Sequence, residues 1–298
     1  MLYPSRHGSS SVSTTPLHPH FGVEIYGIDL RAVTAEKGYP EIREAFEAHS
    51  LLLFRGQQLD DDTHQALGSL FGPIEDRTMG KSGPKPPMDI MTNRLPDGTI
   101  AGEHEILTLD LIANQLWHTD STFLPVPALA NILTARVLSS SGGETEFAST
   151  RAAWRELPDD LRTKAQSAVL RHGLMHSRKK LSAELAKEER FVKWGERSWK
   201  AVWHNPANGE DALYIASHAH AVNGMAEAEG QALIDALIAF ATRPGTVYTH
   251  AWRLGDVLIW DERAMLHRGR PWPYNEERML VSICISARDV DGLNLVRP

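Results

Sequence analysis

The chain of 298 residues has a single cysteine, Cys284, so no intramolecular disulfide can form and a disulfide-stapled scaffold is excluded. Cys284 lies in an apolar run, where a lone thiol is expected to be buried as a small hydrophobe rather than to serve as a nucleophile. No stretch of roughly 18 consecutive apolar residues is present, so no membrane-spanning helix is expected. Residues 1–20 also lack the apolar core of a secretory signal, and a cytoplasmic location is the expectation. Positive charge is in deficit: 31 Lys and Arg against 38 Asp and Glu give a formal net charge of −7. That balance argues against the basic stripe of a nucleic-acid binder. A homo-oligomeric assembly is compatible with the composition. No internal repeat is present. With 42% hydrophobic and 23% charged residues the chain can bury a full core, and one domain spanning 1–298 is expected.

What is there is concentrated in two distant fragments, Trp117-His118-Thr119-Asp120 and His267-Arg268-Gly269 with Arg278 beyond it. In an extended segment residues two apart point the same way, so His118 and Asp120 can face one ion while Thr119 faces away. His267 can supply a third ligand wherever the chain folds back beside them. Two imidazoles and one carboxylate occupy one face of an octahedral metal and leave the other face open, the arrangement that non-heme Fe(II) oxygenases require. An open metal face also suits a hydrolase, because a bound water can be activated there. Arg278 separates the two readings. Its planar guanidinium matches a carboxylate bidentately, and a strand from His267, a turn through Pro271-Trp272-Pro273-Tyr274-Asn275 and a returning strand would bring it alongside the metal. A dicarboxylate cosubstrate would fit between them.

A series of further runs makes the likeness specific. In order they are Leu17-His18-Pro19, Gly27 to Arg31, Leu53-Phe54-Arg55-Gly56-Gln57, Leu70-Phe71-Gly72-Pro73 and Asn114 to Phe123. They continue through Gly142-Gly143-Glu144-Thr145-Glu146-Phe147, Ser217-His218-Ala219-His220, Gly255-Asp256, Trp260-Asp261 and Leu266-His267-Arg268-Gly269-Arg270. The chain resembles the taurine/2,4-dichlorophenoxyacetate dioxygenase (TauD/TfdA) family of Fe(II)- and 2-oxoglutarate-dependent oxygenases, and most its 2,4-dichlorophenoxyacetate dioxygenase branch. That resemblance implies His118, Asp120 and His267 as iron ligands, Thr145 and Arg278 as the grip on the far carboxylate of 2-oxoglutarate, and Trp260 as a wall of that pocket. It implies O2 as co-reactant and succinate and CO2 as products. A Thr hydroxyl can donate to a carboxylate, and Gly142-Gly143 just before it allow a close backbone turn. One stretch departs from the resemblance. Aryloxyacetate-cleaving relatives carry further arginines shortly after the one matching Arg278, whereas this chain reads Met279-Leu280-Val281-Ser282-Ile283-Cys284. The substrate is therefore read only as a small, carboxylate-bearing compound: an aryloxyalkanoate, an amino acid or a secondary-metabolite intermediate.

Short strand-like runs at Val23 to Leu30, Ser50 to Phe54, Asn131 to Val137, Leu170 to His176, Ala201 to His204, Ala212 to Ser217, Thr246 to Trp252, Asp256 to Trp260 and Met279 to Ser286 are separated by turn signals such as Asn205-Pro206-Ala207-Asn208-Gly209. They predict a mainly β fold, an antiparallel jelly roll (double-stranded β-helix) core with flanking helices and an N-terminal α/β cap. Helices are expected over Pro40 to His49, from Leu59 to Leu70, over Pro158 to Val169 and over Ala226 to Thr242. Residues 1–16 are expected as a flexible tail, 79–87 as a loop and 179–200 as a charged lid or insert.

The remaining candidates are substrate contacts: Asn114, His218, His220 and Lys81. His218 and His220, two apart, can line the pocket or form a rival metal pair. Lys81, Lys85, Lys179 and Lys180 can supply a substrate cation, although solvated lysines are the ordinary case. His172 and His176 lack the glutamate of a zinc-protease helix and are set aside. Trp199 and Trp203 suit pocket or core equally. A metallohydrolase and a non-catalytic binding module on the same scaffold are the alternative functions.

Overall fold

A computed structural model of the chain describes residues 12–76 and 88–298. Lys81, Lys85, the 79–87 loop and the first part of the expected tail lie outside the described residues. The strands are, in chain order, β1 Ser13–Pro16, β2 Val23–Tyr26, β3 Leu51–Phe54, β4 Asp89–Thr92 and β5 Ala128–Val137. After these come β6 Thr145–Ser149, β7 Val169–Gly173, β8 Glu196–Lys200, β9 Val202–Asn205 and β10 Glu210–Leu213. The last are β11 Ala219–Val222, β12 Val247–His250, β13 Val257–Asp261, β14 Met265–Gly269 and β15 Met279–Ser286.

The largest sheet runs β1-β2-β3-β13-β5-β15-β4, and two three-stranded sheets run β12-β6-β14 and β11-β7-β8. The period of two in β3 explains the layering. Leu51 and Leu53 point toward Phe147 and Met265 of the β12-β6-β14 sheet, whereas Leu52 and Phe54 pack with Ile42, Phe46, Leu67 and Phe71 of helices Tyr39–His49 and Asp61–Phe71. Helices Thr150–Glu156, Asp159–Ser167 and Glu227–Ala241 cover the outer faces of the two smaller sheets. Each fully buried Leu or Phe in these layers contributes roughly 1.5–3 kcal/mol of transfer free energy. The space between the large sheet and the β12-β6-β14 sheet is where the chemistry-bearing residues meet.

Several expectations need correction. Helix and strand occupy about equal shares of the described residues, so the fold is mixed rather than mainly β. The opening segment is not a separate α/β cap: β1, β2 and β3 form one edge of the large sheet, with β2 and β3 parallel. The tail gives way to structure at Ser13, where β1 pairs with β2. The strand expected to reach His176 stops at Gly173 and a short helix, Leu174–Lys179, follows. Helix Ile106–Ala113 was not expected, because its sequence alternates apolar and polar residues around Thr108 and Asp110 and so reads as a strand.

A buried ionic cluster ties the layers. Arg263, 1% exposed, places Nε and Nη2 each 2.8 Å from the two carboxylate oxygens of Asp261. Its Nη2 also lies 2.7 Å from Glu47 on the first long helix, and Nη1 lies 3.1 Å from Asn205 Oδ1. Removing one partner of such a cluster leaves buried charge uncompensated. Arg263→Ala is expected to lower stability by about 3–5 kcal/mol, read from urea unfolding at neutral pH; a change under about 1 kcal/mol would show that the cluster is not a structural tie.

Candidate metal centre and its pocket

His118 and His267 are brought together by the backbone itself. The His118 amide donates to the His267 carbonyl at 3.0 Å and the His267 amide donates to the His118 carbonyl at 2.8 Å. Residues that exchange both bonds in this way are directly opposed, with side chains on one face. The segment 117–120 is an isolated bridge rather than a strand, yet the alternation holds: Asp120 Oδ1 lies 3.7 Å from His118 Nε2 and 3.9 Å from His267 Nε2. The ligating atoms of all three residues lie within 4.8 Å of one another. Ser121, immediately after, is buried with φ at +61°, a conformation rare for a residue with a Cβ and found disproportionately at functional sites.

The donor chemistry fits Fe(II). The Leu116 carbonyl, 2.7 Å from His118 Nδ1, can only accept, so Nδ1 carries the proton and Nε2 presents its lone pair. Burial lowers the pKa of His118 and lowers that of His267 to about 3, which keeps both imidazoles in the neutral form that a metal binds. The non-facing oxygen of Asp120, Oδ2, accepts from Asn131 Nδ2 at 2.7 Å and lies 3.6 Å from Cys284 Sγ. The Asp120 carboxylate, which can only accept, fixes which way the Asn131 amide points, and Ser282 then donates to Asn131 Oδ1 at 2.7 Å. Glu262 Oε2 accepts from the Asp120 amide at 2.9 Å and sits 2.7 Å from the Thr119 hydroxyl. Burial, and then the neighbouring Asp120 charge, push the Glu262 pKa well up. Asn131 and Glu262 were not singled out from the sequence.

Toward the far end of the cavity lie Thr145 and Arg278. Thr145 is opposite Gly269 in the β6–β14 register, two positions from the partner of His267, so its side chain faces the same way as the imidazole. Trp252 Nε1 donates to Thr145 Oγ1 at 3.0 Å, which leaves the hydroxyl proton free to donate elsewhere. Arg278 is 8% exposed and its Nη2 donates to the Gly143 carbonyl at 2.7 Å. Gly143 has φ of +73°, and a Cβ there would stand 2.7 Å from Arg278 Nε, so only glycine admits the arginine. Asn93 accepts from the Arg278 amide and donates to the carbonyls of Tyr274 and Glu276, holding the turn that returns Arg278 to the site. Among the described residues no carboxylate forms a salt bridge with Arg278, and burial lowers its pKa to about 10. Trp260, 1% exposed, packs its ring 4.8 Å from that of His267.

These residues line one cavity of about 370 Å³. Asn114 and His218 line it too, but His220 does not. The register of β11 against β7 shifts between Ala219 and Ala221, so the two histidines do not share a face and cannot form the rival pair. Lys179 and Lys180 are absent from the lining; Arg178 and Arg190 are present instead, both facing Asp110 of the unexpected helix. Trp199 and Trp203 belong to the core, donating to the carbonyls of Thr122 and Asp291.

Two buried imidazoles and a partly buried carboxylate, beside an arginine with no carboxylate partner among the described residues, form the kind of donor set that non-heme Fe(II) oxygenases use. Residues 13–284 match the family model described as taurine catabolism dioxygenase TauD, TfdA family, and the chain belongs to that family. It is similar to the alpha-ketoglutarate-dependent 2,4-dichlorophenoxyacetate dioxygenase of Cupriavidus pinatubonensis, 34% identical over 276 residues that cover 91% of this chain and 96% of the relative. The (S)-phenoxypropionate/alpha-ketoglutarate-dioxygenase of Sphingobium herbicidovorans is 31% identical, with 91% and 94% covered. The crystal structure of AAD-2 in complex with Mn(II) and N-oxalylglycine superposes with a TM-score of 0.85 at 30% identity, covering 92% of this chain and 97% of that one. The enzyme accordingly requires Fe(II), 2-oxoglutarate and O2. The metallohydrolase and binding-module alternatives find no support in these relatives. Among the described residues no helix is long and apolar enough to cross a membrane.

Asn131→Ala removes the donor that orients Asp120 while leaving the three donors in place. Loss of a group that orients a ligand typically weakens metal binding about 10- to 100-fold, and that loss is expected in anaerobic Fe(II) titration of the variant. Unchanged affinity would show that Asn131 does not orient Asp120.

Proposed function

We propose that His118, Asp120 and His267 hold Fe(II), and that Thr145 and Arg278 hold the far carboxylate of 2-oxoglutarate while its keto-acid end reaches the metal. The carrying observation is the shared face of His267 and Thr145 on adjacent strands, two register positions apart. Diagonal neighbours of this kind stand about 7–8 Å apart, a span suited to a five-carbon diacid. The Thr145 proton is left for an acceptor by the Trp252 bond, and the Arg278 guanidinium has a planar fork to offer a carboxylate. The similar structure of AAD-2 in complex with Mn(II) and N-oxalylglycine supports reading the cavity as a place for a divalent metal and a diacid. When bound, Fe(II) and 2-oxoglutarate supply the capacity to use O2 to oxidise a C–H bond, with release of succinate and CO2. The chain's own part is orientation and exclusion of water: Trp260 walls the cosubstrate end, and the neutral imidazoles and oriented carboxylate keep the donors in place. The scaffold is read as a single-domain jelly roll with flanking helices.

The substrate in this reading is a small acid with an apolar body. Support comes from the outer cavity, where Leu107, Leu111, Phe123, Phe191 and Trp194 make an apolar wall beside Arg178 and Arg190. The two guanidiniums share the single carboxylate of Asp110, which lies 2.8 Å from Arg178 Nη2 and 3.8 Å from Arg190 Nη1, so the cluster carries excess positive charge. It supplies the cation that the Met279–Cys284 run lacks. Aryloxyalkanoates, the compounds named for the relatives, have this shape and charge.

Anaerobic Fe(II) and 2-oxoglutarate should give a weak visible charge-transfer band. Arg278→Ala should raise the 2-oxoglutarate concentration at half-saturation about 10- to 100-fold, as the loss of charged hydrogen bonds worth roughly 1.5–3 kcal/mol requires. A band that ignores 2-oxoglutarate would sink the assignment. Arg178→Gln should raise KM for 2,4-dichlorophenoxyacetate in a succinate-release assay and leave the response to 2-oxoglutarate unaltered. An unaltered KM with a measurably active acid would remove Arg178 from the substrate site.

A further inference from the structure

A second cluster of ligating side chains lies outside the cavity. His176 of helix Leu174–Lys179, Glu196 at the start of β8 and His220 of β11 present atoms that all lie within 4.8 Å of one another. His176 Nε2 is 2.9 Å and His220 Nε2 is 3.0 Å from the same oxygen, Glu196 Oε1. The two imidazoles lie face to face, with ring centroids 3.5 Å apart and planes within 10°. Both Nε2 atoms are thus gathered at one oxygen; the His176 contact is a hydrogen bond, and a single carboxylate oxygen holding two stacked imidazoles brings three ligating groups to one point. His220 Nε2 is buried and makes no hydrogen bond of acceptable geometry despite its nearness to the carboxylate. The other oxygen, Glu196 Oε2, lies 4.0 Å from Arg171 Nη1, its one charged neighbour among the described residues.

The backbone beneath is shaped for this convergence. Gly173 is paired with Glu196 in the β7–β8 register, and its φ of −149° is one that any residue adopts. Space, not conformation, calls for glycine here: a Cβ would stand 2.9 Å from His176 Cδ2 and 3.3 Å from Glu196 Cγ. The absent side chain lets the imidazole and the carboxylate approach each other.

We propose that His176, Glu196 and His220 form a second divalent-metal site, of the Zn(II) class, distinct from the iron centre. Two imidazoles and a carboxylate are ordinary Zn(II) donors, and the partly exposed Glu196 leaves room for water to complete the coordination. The metal would join three elements, helix Leu174–Lys179, β8 and β11. The same short helix carries Arg178 and Leu174 into the substrate cavity, so the ion would brace the wall of the active site from outside.

The test counts Zn(II) bound to the full-length, chelator-stripped chain by equilibrium dialysis and elemental analysis. In a background with both His118 and His267 replaced by Ala, one equivalent of Zn(II) is expected to remain, and Zn(II) should raise the thermal midpoint. Adding His176→Ala or, separately, His220→Gln should abolish that equivalent and the thermal shift, with the far-UV circular dichroism unchanged. In the otherwise wild-type chain either change should lower the count by one. No Zn(II) in the background chain, or an equivalent kept in both ligand variants, would overturn the proposal and leave a plain His–Glu ion-pair cluster. Neither readout depends on the iron or 2-oxoglutarate assignments.

Discussion

The site depends on one reciprocal pair of main-chain hydrogen bonds, those between His118 and His267. They set two imidazoles side by side, and they join a loop that follows helix Ile106–Ala113 to a strand near the end of the chain. Everything else at the centre is placed relative to that bridge. Asp120 reaches the same point because it is two residues along. Thr145 faces the same way because β6 is the other neighbour of β14. The bridge also carries the small sheet onward: the Ser217 amide donates to the Trp117 carbonyl and the Gly173 amide to the His218 carbonyl, so His218 arrives at the cavity by the same hydrogen-bonded route.

Burial then decides protonation and orientation. The histidines remain neutral because charging them inside the sheets is costly, and Asp120 keeps its orientation through Asn131, which Ser282 in turn orients. Ser282 lies in the stretch after Arg278 where the sequence has no cation, and its hydroxyl is committed to Asn131. Besides Arg278 and Arg270, the cavity is lined by Arg178 and Arg190, which come from helix Leu174–Lys179 and the segment after it.

The convergence of His118, Asp120 and His267 and the return of Arg278 to the cavity were legible in sequence: alternation places His118 with Asp120, and a turn rich in proline returns Arg278. Thr145 and Trp260 were legible only through the family likeness. Asn131 and Glu262 were not, since one polar residue inside an apolar strand and one acid in the Asp261-Glu262-Arg263 turn carry no pattern of their own. The helical half of the fold was underestimated for a similar reason. Several helices are short, and Ile106–Ala113 alternates like a strand, so the Asp110 that gathers Arg178 and Arg190 could not be placed near the site. His176 and Glu196 meet only because β7, β8 and β11 are neighbours, and adjacency of that kind is tertiary.

The irregularity in β11 deserves its place in the sequence for what it prevents. Had Ser217 to Val222 kept strict alternation, His218 and His220 would share one face, the face that sets His218 beside His118. With the slip, His218 lies beside His118 inside and His220 stacks on His176 outside. A break in a ladder thereby acts as an insulator between two potential coordination spheres.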